Sequence, residues 1–163
     1  MPNLKLLRNN FLYYFFLVTL IFLIDRISKV LIIKKSIELG NSEIFSSKFI
    51  NFDLIWNKGI AFGLFSSDSG FVYLMISVLI ILIIIFLIYL VTKSKGFEKL
   101  SFILILGGAI GNLFDRIFYK AVPDFIDLHV NNFHWFIFNV ADIFITVGIL
   151  CLIFVELFYN KKI

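Results

Sequence analysis

Four runs of apolar residues, each about the length needed to cross a hydrocarbon core, constrain this chain more tightly than any other feature. A spanning helix takes about 20 residues, and residues 11–33, 71–92, 100–118 and 136–159 meet that requirement. The second run contains no charged residue, and the other three carry a few each. A soluble core of 163 residues could not bury a chain that is 61% hydrophobic, with 22 Phe and a mean hydropathy of +1.00. The expectation is an all-α integral membrane protein with four transmembrane helices. No internal repeat or long linker interrupts it, so residues 1–163 read as a single domain.

The first run resembles a secretory leader in that Lys5 and Arg8 precede it. No small-residue cleavage site follows, whereas Asp25 and Arg26 do and the apolar pattern resumes at Val30, which describes a retained helix. Lys5 and Arg8, then Lys93, Lys95 and Lys99, then Lys161 and Lys162 form three basic clusters. Four spans with both termini cytoplasmic put all three on one side. The segment 34–70, with four lysines among four acidic residues, then falls outside. Within it, over residues 49–56, Ile50, Phe52, Leu54 and Trp56 alternate with Asn51, Asp53, Ile55 and Asn57, a strand pattern with one apolar face. A small extracytoplasmic β-segment is expected between about residues 36 and 68. The net charge of +4 follows from the cytoplasmic lysines, and without a basic stripe carrying interleaved aromatics no nucleic acid is expected as a partner. Cys151 is alone, so neither a disulfide nor a thiolate metal cluster forms within one chain.

Against this background the polar residues stand out. An ionisable group in a spanning segment costs roughly 2.5–3.5 kcal/mol on insertion scales and is retained mainly where it faces protein and has a task. In the expected topology Asp25, Lys29, Asp115, Arg116, Asp124, Asn139 and Asp142 all lie in the outer half of the bilayer or at its outer surface. Gly108, Asn112, Asp115 and Arg116 run along one stripe of the third helix, where Gly107, Gly108 and Gly111 leave room for a backbone or a ligand. Residue types alone leave two readings: a ligand-facing stripe, or a helix-packing motif with Asp115 neutralised by Arg116. Asn139 and Asp142 share a face of the fourth helix, within reach of a loop that presents Asp124 beside Pro123. Two carboxylates close together in a desolvated site share a proton and titrate as a pair, so one can activate water while the other polarises a carbonyl. The alternative is two unconnected Asp residues that cap helices or pair with Arg116. Asp25 and Lys29 are spaced i, i+4 in the favourable order for a structural ion pair. His129 and His134 lack a third ligand of matching geometry, so no metal or other cofactor is expected. Neither HExxH nor GxSxG occurs, which removes the usual signals for a zincin or a serine hydrolase.

Five segments together resemble the lipoprotein signal peptidase family, also called signal peptidase II, the membrane aspartic proteases of bacteria. They are DRISK at 25–29, NKGIAFG at 57–63, GGAIGNLFDR at 107–116, VPDFID at 122–127 and FNVAD at 138–142. The resemblance implies that Asp124 and Asp142 form a catalytic dyad, with Asn57, Gly108, Asn112, Arg116 and Asn139 around the substrate and Asp115 supporting Arg116 and the site. It also implies the substrate, a prolipoprotein whose lipobox Cys carries diacylglyceryl and is cut on its amino side. The enzyme would be a multi-pass monomer of the bacterial inner membrane, in contact with membrane lipid, with its site at the extracytoplasmic face. Pro123 stands where the family commonly has an aliphatic residue, and it removes one backbone donor beside Asp124.

Two other classes compete. A small proton-coupled transporter would need polar residues along the full depth of the bundle, yet the inner halves of these helices are nearly uniform Ile, Leu and Phe. A structural subunit built on Gly107, Gly108 and Gly111 would tolerate loss of the Asp124 and Asp142 carboxylates.

Overall fold

The computed structural model describes residues 4–59 and 70–158, with side chains in the first helix from Phe11 onward. The elements run α1 (Leu4–Leu39), β1 (Glu43–Ser46), β2 (Ile50–Asn57), α2 (Gly70–Lys93), α3 (Gly96–Tyr119), β3 (Val122–Val130), β4 (Phe133–His134) and α4 (Val140–Phe158). α3 is the central helix and packs against α1, α2 and α4. Its glycines explain how neighbours come so close. A Cβ at Gly108 would stand 2.5 Å from the Ala141 carbonyl oxygen of α4, and one at Gly111 would stand 2.6 Å from Asp25 Oδ2 of α1. Gly148 gives the reciprocal clearance on α4, where a Cβ would meet the Ser101 carbonyl oxygen at 2.8 Å. Only hydrogen fits at these positions, and the helices close on one another accordingly.

Among the described residues, α2, α3 and α4 are long and apolar enough to cross a membrane. α2 shows why water is excluded as its solvent: Phe71, Leu74, Met75, Leu82, Ile85 and Phe86 all point outward, alongside further exposed aliphatic residues. A helix apolar all round needs lipid or protein on every side. α1 has 36 residues, roughly 54 Å at 1.5 Å per residue, and also exposes apolar side chains, among them Phe11, Phe15, Phe16, Ile27 and Leu31. The first helix is therefore longer than its apolar run, and Asp25 and Lys29 lie in its middle rather than near its end. The fourth begins later than expected because residues 136–139 are an extended approach to α4.

The four strands form a sheet in the order β1-β2-β3-β4, each neighbouring pair antiparallel. β2 falls where alternation placed it, but its burial does not alternate as expected. A bulge between Phe52 and Ile55 shifts the register, so Leu54 is buried while Trp56, four-tenths exposed, is not. Residues 60–68 of the expected β-segment lie outside the described residues, as do positions 60–63 of the NKGIAFG motif. β3 and β4 were not anticipated, although β3 is the strand that carries Asp124. Pro123 sits in the second position of β3 opposite Trp56, fully buried. After β4 the chain returns to β3: Phe138 accepts hydrogen bonds from the Phe125 and Ile126 N–H groups at 3.0 and 2.8 Å, and its own N–H donates to the Ile126 carbonyl at 3.1 Å. This clasp delivers the start of α4 to the side of Asp124.

Candidate active site

Three asparagines organise the site. Each has its amide oxygen occupied by a fixed donor, which turns its NH2 group toward a carboxylate. Asn57, at the end of β2, accepts the Gly59 N–H at 2.8 Å and donates to Asp124 Oδ2 at 2.9 Å. Asn139 is the N-cap of α4: its oxygen accepts the Asp142 N–H at 3.1 Å, and its NH2 donates to Asp124 Oδ1 at 2.6 Å. Asn112, on α3, accepts from Lys29 Nζ at 2.9 Å and donates to Asp142 Oδ1 at 2.8 Å.

Asp142 completes a reciprocal capping box, since its Oδ2 accepts the Asn139 N–H at 3.2 Å while Asn139 caps the Asp142 N–H. A local helix-start device thereby fixes one carboxylate and, through Asn139, links it to the other. Asp124 is 4% exposed. Burial pushes its carboxyl up to about 6; the nearby Asp142 carboxylate adds to the rise, and the hydrogen bonds from Asn57 and Asn139 and the Lys29 charge partly offset it. Among the described residues, no Lys or Arg pairs directly with Asp124 or Asp142, so their four donors are three amides and one backbone N–H.

Behind this pair lies a second set of acids held in a different way. Lys29 is fully buried and spends all three donors, on Asp25 Oδ2 at 2.8 Å, Asn112 at 2.9 Å and Asp115 Oδ2 at 2.6 Å. Asp115 Oδ1 pairs with Arg26, and Asp25 Oδ1 accepts the Ala141 N–H at 2.9 Å. Two cations thus neutralise two carboxylates and tie α1 to α3 and α4. The Asp25 and Lys29 pair anticipated on α1 belongs to this larger cluster. Arg26, which sequence reasoning passed over, is part of it, with its guanidinium 5.3 Å from the Phe114 ring centroid and 5.4 Å from that of Tyr119.

Among the described residues no ion pair joins Asp115 to Arg116 as expected: Asp115 is held by Lys29 and Arg26, and reaches the site through the bond from Lys29 to Asn112. Successive residues on a helix face different directions. Arg116 instead donates to the Gly59 carbonyl at 2.7 Å and to the Asn112 carbonyl at 3.3 Å. Its own carbonyl receives the Tyr73 hydroxyl from α2, another partner not anticipated. Gly108 lies at the crossing of α3 with α4, one turn from Asn112.

Asp124, Asp142, Asn57, Asn112, Arg116 and Asn139 line one cavity of about 380 Å³. A neighbouring apolar cavity of about 690 Å³, bounded by Phe49, Val130, Phe133, Trp135, Ile143 and Val147, also reaches Asp142. Where no third ligand of matching geometry for His129 and His134 was expected, Asp127 lies beside both as a candidate.

Fold and site together define a membrane-embedded helical protein with two hydrogen-bonded acids, one buried and one part-buried, at the junction of its bundle and sheet. The family model described as signal peptidase (SPase) II matches residues 17–158. The lipoprotein signal peptidase of Pelagibacter ubique (strain HTCC1062) is 51% identical over 160 residues, covering 98% of this chain and 94% of that protein. That of Francisella tularensis subsp. novicida (strain U112) is 42% identical, covering 91% and 94% respectively. A bacterial membrane enzyme solved by the in meso method at 2.3 Å resolution superposes with a TM-score of 0.76 at 29% identity, covering 92% of each chain. The chain belongs to the signal peptidase II family and is a membrane peptidase.

Proposed function

We propose that this protein is an aspartic endopeptidase that cuts diacylglyceryl-modified prolipoproteins on the amino side of the modified Cys, with Asp124 and Asp142 as the catalytic pair. The observation that carries this reading is the contrast between two sets of acids within the bundle. Asp25 and Asp115 are locked by cations, whereas among the described residues Asp124 and Asp142 are held only by neutral donors beside a shared cavity. Amide donors hold a carboxylate through hydrogen bonds that need no matching charge, so the pair can pass between charged and neutral forms with its geometry intact.

Such a pair shares one proton. The ionised carboxylate removes a proton from water as its oxygen attacks the scissile carbonyl, while the protonated one donates to the carbonyl oxygen. Collapse of the tetrahedral intermediate returns a proton to the departing amine. Asn57, Asn112 and Asn139 keep both carboxylates in place through these changes, and Arg116 fixes Gly59 at the cavity edge. The adjoining apolar cavity supports a lipid-bearing substrate, because acyl chains can stay in an apolar environment while the peptide reaches Asp142.

In this reading the protein is a monomeric, multi-pass enzyme of the bacterial inner membrane. α1 is the fourth span, both termini are cytoplasmic, and the sheet lies at the extracytoplasmic surface. The test is mass spectrometry of products after incubating the purified protein in lipid with a diacylglyceryl-modified prolipoprotein and with its unmodified form. Release of a fragment beginning at the modified Cys, from the modified form alone, is expected. Cleavage elsewhere, or equal cleavage of both forms, overturns the assignment.

A further inference from the structure

We propose that Asp127, His129 and His134 form a binding site for a divalent transition metal of the zinc class, separate from the Asp124 and Asp142 pair. The fold assembles the donor set by simple strand geometry. Asp127 and His129 are i and i+2 on β3 and so share a face, and His134 on β4 stands directly opposite His129. The turn between Val130 and Phe133 brings the two histidine rings to a stacked arrangement with centroids 5.0 Å apart. Asp124, three residues before Asp127, takes the other parity of the strand, which separates the two sites.

One ligand atom from each of the three side chains falls within 4.8 Å of the others. Tetrahedral zinc with bonds of 2.0–2.2 Å requires donor separations of roughly 3.4 Å. The adjustment falls chiefly on His134, whose side chain is 53% exposed, while Asp127 is buried at 3%. Two imidazoles and a carboxylate suit zinc and its neighbours in the first transition row better than calcium or magnesium, which favour all-oxygen sites.

Protein hydrogen bonds alone leave this cluster incomplete. His134 Nδ1 meets Asp127 Oδ2 at 2.8 Å, but the other Asp127 oxygen and His129 Nδ1 are both buried without a hydrogen-bond partner among the described residues. Such atoms are costly to bury unsatisfied, and a cation would satisfy both. An outer layer is also in place: Asn51, paired with Asp127 in the β2–β3 register, donates to Asp127 Oδ2 at 3.2 Å and orients the carboxylate. Asp53, within electrostatic reach of all three residues, adds negative charge nearby, as does Glu43 beside it.

The metal would fasten β4 to β3. His129 and Phe133 line the apolar cavity beside Asp142, and the chain after His134 leads through Trp135 to the Asn139 cap. The site is therefore a clamp on one wall of the substrate cavity and takes no part in bond cleavage.

Full-length, tag-free protein in lipid nanodiscs, stripped with a chelator, should bind one Zn2+ per chain by calorimetry, in the micromolar range or tighter. Co2+ should give the visible absorption of a nitrogen- and oxygen-ligated ion. His129→Ala and His134→Ala should each weaken Zn2+ binding by at least ~10-fold. Asp124→Asn and Asp142→Asn should leave it unchanged. Because His134 is half-exposed, its variant keeps the core intact, and Zn2+ should raise the thermal midpoint of the wild type but not of His134→Ala. Absence of binding at tens of micromolar Zn2+, or binding that survives both histidine changes, overturns the proposal. Binding lost in Asp124→Asn or Asp142→Asn also overturns it, since the ion would then sit on the other pair of acids.

Discussion

Replacing Lys29 with Met keeps the length of the side chain and removes a charge from the most buried ionic cluster of the protein. Lys29 is 0% exposed and holds Asp25, Asn112 and Asp115 at 2.8, 2.9 and 2.6 Å. In the native cluster Lys29 and Arg26 balance Asp25 and Asp115, so Lys29→Met leaves one buried negative charge unmatched. Breaking a buried pair from one side costs about 3–5 kcal/mol. The double change Lys29→Met with Asp25→Asn restores neutrality: the amide introduced at position 25 keeps an acceptor for the Ala141 N–H, and Asp115 keeps Arg26. More than half of the loss should return, leaving about 1–2 kcal/mol from acceptors on Asn112 and Asp115 that have lost their donor. Reversible unfolding in mixed micelles, titrated with SDS, measures each free energy. The reasoning is refuted if Lys29→Met lies within about 1 kcal/mol of wild type, or if the double variant is no more stable than the single one.

Other consequences concern the carboxylate pair and the helix crossing beneath it. The Asp124 carboxyl lies at about 6 against an ordinary 3.8, so between these values the native protein keeps a proton that the unfolded chain has released, and this group's contribution to stability falls as pH rises from about 4 to about 6. Relative to Asp124→Asn, the wild type should lose up to about 3 kcal/mol across that interval in the same unfolding assay; a flat difference, or one of opposite sign, contradicts this. Gly108→Ala would place a methyl 2.5 Å from the Ala141 carbonyl oxygen, forcing α3 from α4 at a cost of about 1–3 kcal/mol and slowing cleavage by roughly 100-fold through displacement of Asn112 from Asp142. Gly70→Ala, with nothing among the described residues within 4 Å of the new methyl, should match wild type in both measurements.

The sequence made the membrane character and the helices legible because an uninterrupted apolar run leaves few alternatives, and α2 lies within a residue of its expected bounds. It also singled out residues that converge on one cavity, since Asn57, Asn112, Asp124, Asn139 and Asp142 are polar groups that an apolar chain retains against a cost. Their pairing was less accessible. Asp115 was matched with its chain neighbour Arg116, but helix geometry turns those side chains apart, and Arg26 reaches Asp115 from another helix. β3 escaped notice because Asp124, Phe125 and Asp127 are all buried on a strand covered on both faces, which erases the alternation of a half-exposed sheet. The third member of the histidine cluster was hidden for a related reason: only the β3–β4 register shows that Asp127, His129 and His134 share a face.

The central claim is that Asp124 and Asp142 act together on one scissile bond. The most direct test is single-turnover cleavage of a diacylglyceryl-modified prolipoprotein by wild type, Asp124→Asn and Asp142→Asn in lipid, with the folding of each verified by its unfolding transition. Both variants should bind substrate and lose at least ~1,000-fold in the cleavage rate, beyond what loss of one acid–base group alone typically costs at the low end. A folded variant of either kind that retains a tenth or more of the wild-type rate would contradict the two-carboxylate mechanism.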